Sequence, residues 1–364
     1  MPEQVKEKKK KRSFFSRLLF ALVALIVAGG VALGCLSPVL NPSTTWYATI
    51  FGILFLPLAA VGAVFFILAL LRRSTMAVIL LLVMIPAALL SPRAIKFKGP
   101  KPGEDDASGV KVMSYNLGLF ANGKDLPSNR IAAADSVCSF LRRTGADVIC
   151  LQEFYYPHNA ELPLDKYLRK TFPSYHAEYY VLSGKYGVSG NVTLSRLPVK
   201  GKGKIDFAKS TNMALYTDIV FPNTTLRVYN CHLQSYNISL KKVPSDEKEV
   251  EATERQMKKG LSLRPEQVNL ILKSRKECPY RSVVVGDFND NPLSYTYSRL
   301  CSGLRDSFVT AGKGLGATFT DLWPLLRIDY ILYPDDELKA TSHKVLKQSY
   351  SDHYPVMAEL CPKN

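Results

Sequence analysis

Ser282-Val283-Val284-Val285-Gly286-Asp287-Phe288-Asn289-Asp290-Asn291-Pro292 places a short β-branched run directly before a glycine and a cluster of carboxylate and amide side chains. The brevity of the run, its valine content and the turn residues after it favour a buried strand over a buried helix. Asp287 and Asn289 are two residues apart, so both would lie on the same face at the end of that strand. Such a pair suits activation of a water molecule beside a hard cation, and an Asx-rich turn after a core strand is the structural alternative.

Residues 110–364 contain further apolar, strand-like runs that end in side chains able to do chemistry. The first two of these runs are 110–116 and 147–153. Between them the sequence predicts a helix that is capped by Ser128-Asn129, continues to about Arg143 and is ended by Gly145. Strand, helix and strand with polar groups at the strand ends is the signature of an α/β fold. A folded core offers few reasons to place polar residues at so many strand ends, so their recurrence indicates one shared site. These polar residues are Asn116, Glu153, His232, Asp287, Asn289, Asp329, Asp352 and His353.

Seven segments of this region, in the same order along the chain, resemble the successive motifs of the endonuclease/exonuclease/phosphatase family, the deoxyribonuclease-like metal-dependent phosphoesterases. The segments are SYNLGLF (114–120), DVICLQEF (147–154), GNVTLSRLPV (190–199), YNCHLQS (229–235), VVVGDFNDNP (283–292), RIDYIL (327–332) and SDHYPV (351–356). The resemblance implies a hydrolase acting on phosphoester bonds. It also implies a four-layer α/β sandwich, in which two packed mixed β-sheets are flanked by helices and the site lies at one end.

The resemblance also implies a metal site. Glu153 resembles the principal ligand of Mg²⁺, for which Mn²⁺ is the alternative, and Asn116 would contact the metal or the phosphate beside it. Asp352 would complete the metal environment. Mg²⁺ prefers carboxylate and amide oxygens of this kind, and it neutralises charge on phosphate oxygens.

The remaining motif positions resemble the catalytic and substrate-binding residues of the family. Asp287 would orient or deprotonate the attacking water, and Asn289 would hold a phosphate oxygen. His232 and His353 would donate to the phosphoryl group or the leaving oxygen. Asp329 would orient His353, because a carboxylate bonded to one ring nitrogen fixes the tautomer of an imidazole.

The residues leave the substrate open within the class of phosphoesters. Histidine at position 232 resembles the deoxyribonuclease, sphingomyelinase and inositol-phosphatase branches, whereas Phe154 replaces a lysine typical of abasic-site nucleases. A nuclease-like phosphodiesterase is the favoured interpretation, and a lipid-headgroup hydrolase or an inositol-type phosphatase is the alternative. A non-catalytic binding module is less favoured because every expected metal and histidine position is present.

The first part of the chain predicts a membrane anchor. A basic tail (1–17) precedes an apolar region (18–91) with three uncharged spans, at about 18–40, 46–71 and 74–90. A polar linker (92–109) then leads to the catalytic domain (110–364). The basic tail and Arg72-Arg73 predict a cytoplasmic N-terminus and, after three crossings, a catalytic domain on the extracytoplasmic (periplasmic) side. If the third span did not cross, that domain would face the cytoplasm.

Net charge and cysteine content further limit the classes of function that the sequence allows. Residues 1–107 carry 13 basic and 5 acidic residues and the remainder carries 34 and 26, so each part contributes +8 to the net charge of +16. This balance is compatible with an anionic substrate or an acidic membrane surface. The seven cysteines show no metal-ligand spacing and no CxxC pair, which argues against a zinc or thiol-redox site. The apolar spans lack acidic residues, which argues against a transporter.

Overall fold

The computed structural model describes residues 3–99, 109–120, 127–222, 224–236, 246–321, 326–348 and 350–363. Side chains are described from residue 14 in the first of these segments and from residue 134 in the third. The backbone forms two compact units, Met1–Ala94 with Leu293–Tyr295, and Ile95–Pro292 with Thr296–Asn364. The first unit contains the N-terminal helices, and the second contains the β-sheets.

The N-terminal unit is helical, with α1 (Glu3–Leu36), α2 (Tyr47–Ile53), α3 (Phe55–Leu71) and α4 (Met76–Leu90). Phe14–Leu36 and Met76–Arg93 are each long and apolar enough to cross a membrane. α2 and α3 pass the same test together, but they are bent by 72°. The break follows from Pro57, whose ring would clash with the carbonyl of Ile53 in a continuous helix. The described residues therefore contain two to three candidate spans, where the sequence predicted about three.

The second unit contains two six-stranded mixed sheets, with strand orders β11-β12-β1-β2-β4-β3 and β5-β6-β7-β8-β10-β9. The strands are β1 (Val110–Asn116), β2 (Val148–Pro157), β3 (His176–Ser183), β4 (Gly187–Ser195), β5 (Val199–Asp206), β6 (Met213–Val220), β7 (Thr225–His232), β8 (Arg281–Asp287), β9 (Arg305–Asp306), β10 (Asp329–Tyr333), β11 (Leu338–Val345) and β12 (Val356–Pro362). The helices that follow α4 are α5 (Pro127–Arg143), α6 (Leu164–Thr171), α7 (Glu247–Glu277), α8 (Tyr295–Leu300) and α9 (Ser307–Ala311).

Three buried clusters hold the layers together. The two sheets pack face to face through a cluster that includes Val112 of the first sheet and Val283 of the second. Leu141 of α5 and Leu168 of α6 cover the outer face of the first sheet. Val268 of α7 does the same for the second sheet. The order helix, sheet, sheet, helix is the four-layer α/β sandwich that the sequence motifs predicted.

Strand register brings the polar residues of the motifs to one edge of the sandwich. β1 and β2 run parallel, so Asn116 and Glu153 lie at the same end of the first sheet. β7 and β8 are also parallel and place His232 directly opposite Asp287. β10 runs antiparallel to β8, and its first residue, Asp329, therefore pairs with Asp287. A residue that begins a strand thus reaches the edge where its neighbours end.

Gly286 permits the close pairing of β7 and β8 beside Asp287. Its φ of +136° is a backbone conformation that residues with a side chain rarely adopt. A Cβ atom at this position would overlap the carbonyl oxygen of Cys231 on the neighbouring strand. Glycine at this position therefore allows β7 and β8 to pair closely where they carry His232 and Asp287.

The sequence predicts a helix near Pro265–Lys276, with Pro265 at a permitted first-turn position, but α7 begins well before it. The helix starts at Glu247, where the Asp246 side chain accepts a hydrogen bond from the Glu249 amide at 2.8 Å. This capping bond and the acidic first turn provide a start signal upstream of the proline. The charged stretch 241–259 predicts a solvated helix or loop, with a lid over the site as the less favoured alternative. It is helical from Glu247 onward, and 241–245 lie outside the described residues.

The buried histidine His343 on β11 is expected to lower the free energy of unfolding in acid. Its ring is buried, Nδ1 lies 2.9 Å from the Ser307 hydroxyl, and Phe308 packs edge-on against it. Burial lowers the pKa of His343 to about 4. Because the folded-state pKa lies below the unfolded value of about 6.5, the unfolded chain binds the extra proton as pH falls. This histidine should therefore cost about 3 kcal/mol of stability between neutral pH and pH 4.

Denaturant unfolding of the full chain in detergent, at pH 7 and pH 4.5, checks this expectation. His343→Phe should show a smaller loss of unfolding free energy over that interval than the wild type does. His176→Gln, at an exposed position on β3, is the matched control. Equal pH dependence in the wild type and His343→Phe would contradict the assignment.

Candidate active site

One carboxylate oxygen, Oδ2 of Asp287, is the centre of the cleft at the shared edge of the two sheets. It accepts hydrogen bonds from Nδ2 of Asn116 at 2.9 Å and from Nδ2 of Asn289 at 3.1 Å. The Nε2 atoms of two histidines lie slightly farther away, at 3.9 Å for His232 and 3.8 Å for His353. Asn116 comes from the first sheet, so this oxygen joins the ends of both sheets.

Burial raises the pKa of Asp287 to about 6, although the charge on His353 partly opposes the shift. The carboxylate is therefore a stronger base than an exposed aspartate, and it is still ionised at neutral pH. A group with these properties can accept a proton from water.

Glu153 lies at an irregularity in the pairing of β2 with β4, between Leu151 and Phe154. Its φ is +50°, a conformation that is uncommon for residues other than glycine and that carries local strain. The bulge turns the side chain into the cleft, where Oε1 lies 3.4 Å from Nδ2 of Asn116 and 3.5 Å from Nε2 of His232. Burial raises the pKa of Glu153, which is the expected cost of holding a carboxylate there.

His353 and Asp329 form a buried pair. Nδ1 of His353 lies 2.9 Å from Oδ2 of Asp329, which leaves Nε2 directed toward Asp287. Burial by itself lowers the pKa of His353, but the charges of Asp329 and Asp287 outweigh it and raise the pKa to about 10. His353 is therefore a cation at neutral pH, held between two carboxylates.

His232 has the opposite character. Burial lowers its pKa, and the partial compensation by the charge of Asp287 does not reverse the shift. The imidazole is therefore neutral at pH 7 and can act as a hydrogen-bond donor or acceptor. The two histidines of the cleft thus differ in charge although both face Asp287.

Asn289 and Asp352 complete the set. Asn289 has a φ of +51°, and its side chain also donates to the carbonyl of Leu233 at 2.9 Å. Asp352 is exposed, accepts a hydrogen bond from the Ser351 hydroxyl at 3.2 Å, and raises the pKa of Glu153 by its charge. All eight residues selected from the sequence therefore line one cleft, with Asp352 at its outer margin.

The donor set fits a divalent cation. The carboxylates in the cleft outnumber its one positively charged side chain, the imidazolium of His353. In addition, Oδ1 of Asp329 is buried without a hydrogen-bond partner among the described residues. Ligand atoms of Asp287, Asp329 and His353 lie within 4.8 Å of one another. Nδ1 of His353 is already engaged by Asp329, however, and a hard cation prefers oxygen ligands. The carboxylates of Glu153 and Asp352 and the amide oxygen of Asn116 are ligands of that kind, although Oδ1 of Asn116 already accepts a hydrogen bond from the Gly118 amide at 3.0 Å.

Sequence reasoning missed the buried amides that join the two sheets beneath the cleft. Nδ2 of Asn230 donates to the carbonyls of Leu151 at 3.1 Å and Val192 at 3.0 Å, and its Oδ1 accepts from Gln152 at 2.7 Å. Asn191 donates to the carbonyl of Asn230 at 2.9 Å. Each of these amides lies within one of the seven motifs, where an uncharged polar residue inside an apolar run was the available signal.

Ser351 was also missed. Its hydroxyl donates to the carbonyl of Asn116 at 2.8 Å and accepts from the His353 amide at 3.2 Å. It therefore ties the segment that carries Asp352 and His353 to the end of β1. Its position directly before Asp352-His353 in SDHYPV was the signal.

Comparison with solved structures reveals the same fold in proteins of low sequence identity. An endonuclease/exonuclease/phosphatase family protein from Leptotrichia buccalis is 19% identical, with a TM-score of 0.50 over 68% of this chain and 98% of its own. A functionally unknown conserved protein from Enterococcus faecalis is 17% identical, with a TM-score of 0.51 over 70% and 100%. An endonuclease/exonuclease/phosphatase from Beutenbergia cavernae is 17% identical, with a TM-score of 0.50 over 71% and 72%.

Family models account for both parts of the chain. A model described as a domain of unknown function (DUF8431) matches residues 16–90. No curated protein matches in a sequence comparison. The model described as the Endonuclease/Exonuclease/phosphatase family matches residues 113–353, about two thirds of the chain. The chain therefore belongs to the endonuclease/exonuclease/phosphatase family, whose members are phosphoester hydrolases.

Proposed function

We propose that this protein is a membrane-anchored, divalent-metal-dependent phosphoesterase that hydrolyses phosphodiester bonds. The observation that carries the proposal is the surrounding of Asp287 Oδ2, where Asn116, Asn289, His232 and His353 lie within 3.9 Å. A buried base, two amide donors and two imidazoles of different charge are what in-line attack of water on a phosphoryl group requires.

Asp287 is the group that orients and deprotonates the attacking water. Its pKa, raised by burial to about 6, keeps it ionised at neutral pH and lets it take a proton in the transition state. Asn116 and Asn289 hold its carboxylate in place by direct hydrogen bonds. The base is therefore fixed in position before substrate arrives.

We assign the binding of the phosphoryl oxygens to His232, Asn289 and Asn116. In this structure Nδ2 of Asn289 donates to Leu233 and Asp287, and Nδ2 of Asn116 donates to Asp287 and Glu153, so each asparagine would exchange one of these bonds for a phosphate oxygen. His353, as a cation, stabilises negative charge that develops on those oxygens or donates to the leaving oxygen. Asp329 acts through His353 by fixing its tautomer and retaining its proton. A divalent cation, Mg²⁺ or Mn²⁺, bound by Glu153, Asn116 and Asp352 would neutralise charge on the non-bridging oxygens.

The N-terminal part anchors the site at a membrane. In this proposal residues 1–17 are a basic cytoplasmic tail, 18–91 cross the bilayer, 92–109 are a linker, and 110–364 form the catalytic domain. The candidate spans Phe14–Leu36 and Met76–Arg93 support the anchor. The distribution of Lys and Arg supports a cytoplasmic N-terminus and an extracytoplasmic catalytic domain.

A hydrolysis screen of the full chain in detergent tests the proposal. The substrates are single- and double-stranded DNA, RNA, a sphingomyelin-type lipid and inositol phosphates, each with Mg²⁺, with Mn²⁺ and with EDTA, and Asp287→Asn is the blank. We expect metal-dependent cleavage of a phosphodiester, whether nucleic acid or lipid head group. Turnover of phosphomonoesters alone would replace the proposal by a phosphatase, and absence of turnover would favour a binding module.

The pKa values of the cleft, which are those of the free protein, predict a bell-shaped pH profile of kcat/KM. Activity should fall below about pH 6, where Asp287 becomes protonated, and it should fall again toward pH 10, where His353 loses its proton. Asp329→Asn removes a charge that raises the pKa of His353, so the alkaline limb should move to lower pH. Measurement of kcat/KM from pH 5 to pH 10.5 at saturating metal checks this, and an unmoved alkaline limb would contradict the role of Asp329.

A further inference from the structure

Arg264 is an unusual residue for the interior of this fold, because its side chain is completely buried. Arginine is almost never fully buried unless its charge is paired and its donors are used. Its position on α7 lies outside every sequence motif that pointed to the cleft. Asp290 pairs its charge and Nη1 donates to two carbonyls, while Nε and Nη2 have no hydrogen-bond partner among the described residues.

The guanidinium bridges the two loops that follow β7 and β8. Nη1 donates to the carbonyl of Gln234 at 2.9 Å and to the carbonyl of Asn289 at 2.8 Å. Nε lies 3.4 Å from Oδ2 of Asp290, which compensates the charge. The guanidinium also lies 4.2 Å from the centre of the Tyr236 ring. Arg264 therefore joins the segment after His232 to the segment after Asp287.

A second residue, one helical turn further along α7, contacts the same loop. Oε1 of Gln267, itself buried, accepts a hydrogen bond from the Gln234 amide at 2.9 Å. Arg264 and Gln267 together thus bind the carbonyl and the amide of one residue. Close packing of α7 makes this reach feasible, since a Cβ atom at Gly260 would lie 2.7 Å from the Ser235 carbonyl oxygen.

We propose that Arg264, supported by Gln267, is a positioning residue for hydrolysis, which holds the His232 loop and the Asp287–Asn289 loop at their reactive separation. The inference rests on the proposed phosphoesterase function. Asn289, whose carbonyl Arg264 binds, donates from its backbone amide to Oδ1 of Asp287 at 2.8 Å and from its side chain to Oδ2. A shift of this loop would therefore move the base itself, and a displacement of about 1 Å can cost about 100-fold in rate.

The test compares Arg264→Lys with Arg275→Lys in the full chain. Lysine keeps the charge, but its single ammonium cannot bind both carbonyls from the position of Nη1 and at the same time place a nitrogen 3.4 Å from Oδ2 of Asp290, as Nε does. Arg275 is the matched control because it lies on the same helix and also donates to backbone carbonyls, those of Leu300 and Ser302, away from the cleft. We expect kcat to fall about 10- to 100-fold for Arg264→Lys, with KM within about threefold, and little change for Arg275→Lys.

A double-mutant cycle separates positioning from general destabilisation. If Arg264 acts through Asn289, Arg264→Lys should cost much less in kcat on an Asn289→Ala background than on the wild type. Additive effects, or a folded Arg264→Lys as active as Arg275→Lys, would overturn the proposal. Should Arg264→Lys not fold, Gln267→Met carries the test with an expected fall in kcat of about fivefold, and unchanged kcat would count against the role.

Hydrogen exchange provides a measurement that does not depend on activity. Arg264→Lys should accelerate exchange of the Gln234 and Asn289 amides, and Arg275→Lys should leave both unchanged. A wild type that hydrolyses no phosphoester would reject the proposed function, while the exchange data would still report on the loops. Unaltered exchange in Arg264→Lys would reject the positioning role even if the wild type is active.

Discussion

Replacing Asp287 with asparagine is expected to lower kcat for phosphodiester hydrolysis by about 1,000-fold or more. Asparagine keeps the size of the side chain, but it cannot take a proton from water. Its amide would also present hydrogens to Asn116 or Asn289, whose Nδ2 atoms donate to Oδ2 at 2.9 Å and 3.1 Å in the wild type. The loss therefore combines a missing base with a disturbed network of donors.

Steady-state kinetics on the substrate identified by the screen, with a melting curve for each variant, measure this effect. The melting temperature should change little, because removal of a buried charge and loss of its hydrogen bonds act in opposite directions. Asp206→Asn is the matched control, since Asp206 is paired with Lys204 at 2.8 Å on the exposed strand β5. An Asp287→Asn enzyme with more than about a tenth of wild-type kcat would remove Asp287 from the role of base.

Replacing Glu153 with glutamine is expected to raise the metal concentration needed for activity by at least about tenfold, and nearly to abolish turnover at low metal. The substitution removes the carboxylate that burial makes costly to hold, as its raised pKa indicates. It leaves an amide beside Asn116 and His232. In the proposed function, a bound divalent cation would favour the ionised form of this carboxylate.

Titration calorimetry with Mg²⁺ and Mn²⁺ tests the same role without turnover. Metal affinity should fall for Glu153→Gln and stay unchanged for Glu161→Gln, a control at an exposed position beyond β2. Partial recovery of activity at high metal would support a ligand role. Equal metal affinity in the wild type and Glu153→Gln would place the metal elsewhere in the cleft.

Local sequence pattern was sufficient to predict the α/β class, and it selected residues that the folded chain brings together at one edge of the sandwich. Apolar runs that end in Asn116, His232 and Asp287 are strands that end at one edge of the sandwich. The run before Glu153 was expected to end there, but β2 continues to Pro157 and a bulge turns Glu153 into the cleft. Asp329 was also selected from the sequence, but it begins its strand. Only the antiparallel pairing of β10 with β8 explains why it lies opposite Asp287.

The helix boundaries show where local signals mislead. Pro265 was interpreted as a helix start, yet α7 runs through it from a cap at Asp246. The apolar stretch 46–71 reads as one segment, but Pro57 separates it into two helices bent by 72°. For α7, the cap at Asp246 sets the start of the helix and outweighs the signal of Pro265. For 46–71, the steric clash of Pro57 breaks a segment that its apolar composition predicts to be continuous.

The sequence by itself determined which side chains are candidates for the site, because chemistry-bearing residues interrupt apolar strands in an order that resembles the motifs of the family. Tertiary structure alone decided the surroundings of those side chains. The charged state of His353, the raised pKa of Asp287 and the burial of Arg264 depend on groups that are distant in the chain and that only packing brings together. The reason is physical: residue identity is a local property, whereas desolvation and Coulomb interaction depend on distances that exist only in the folded chain.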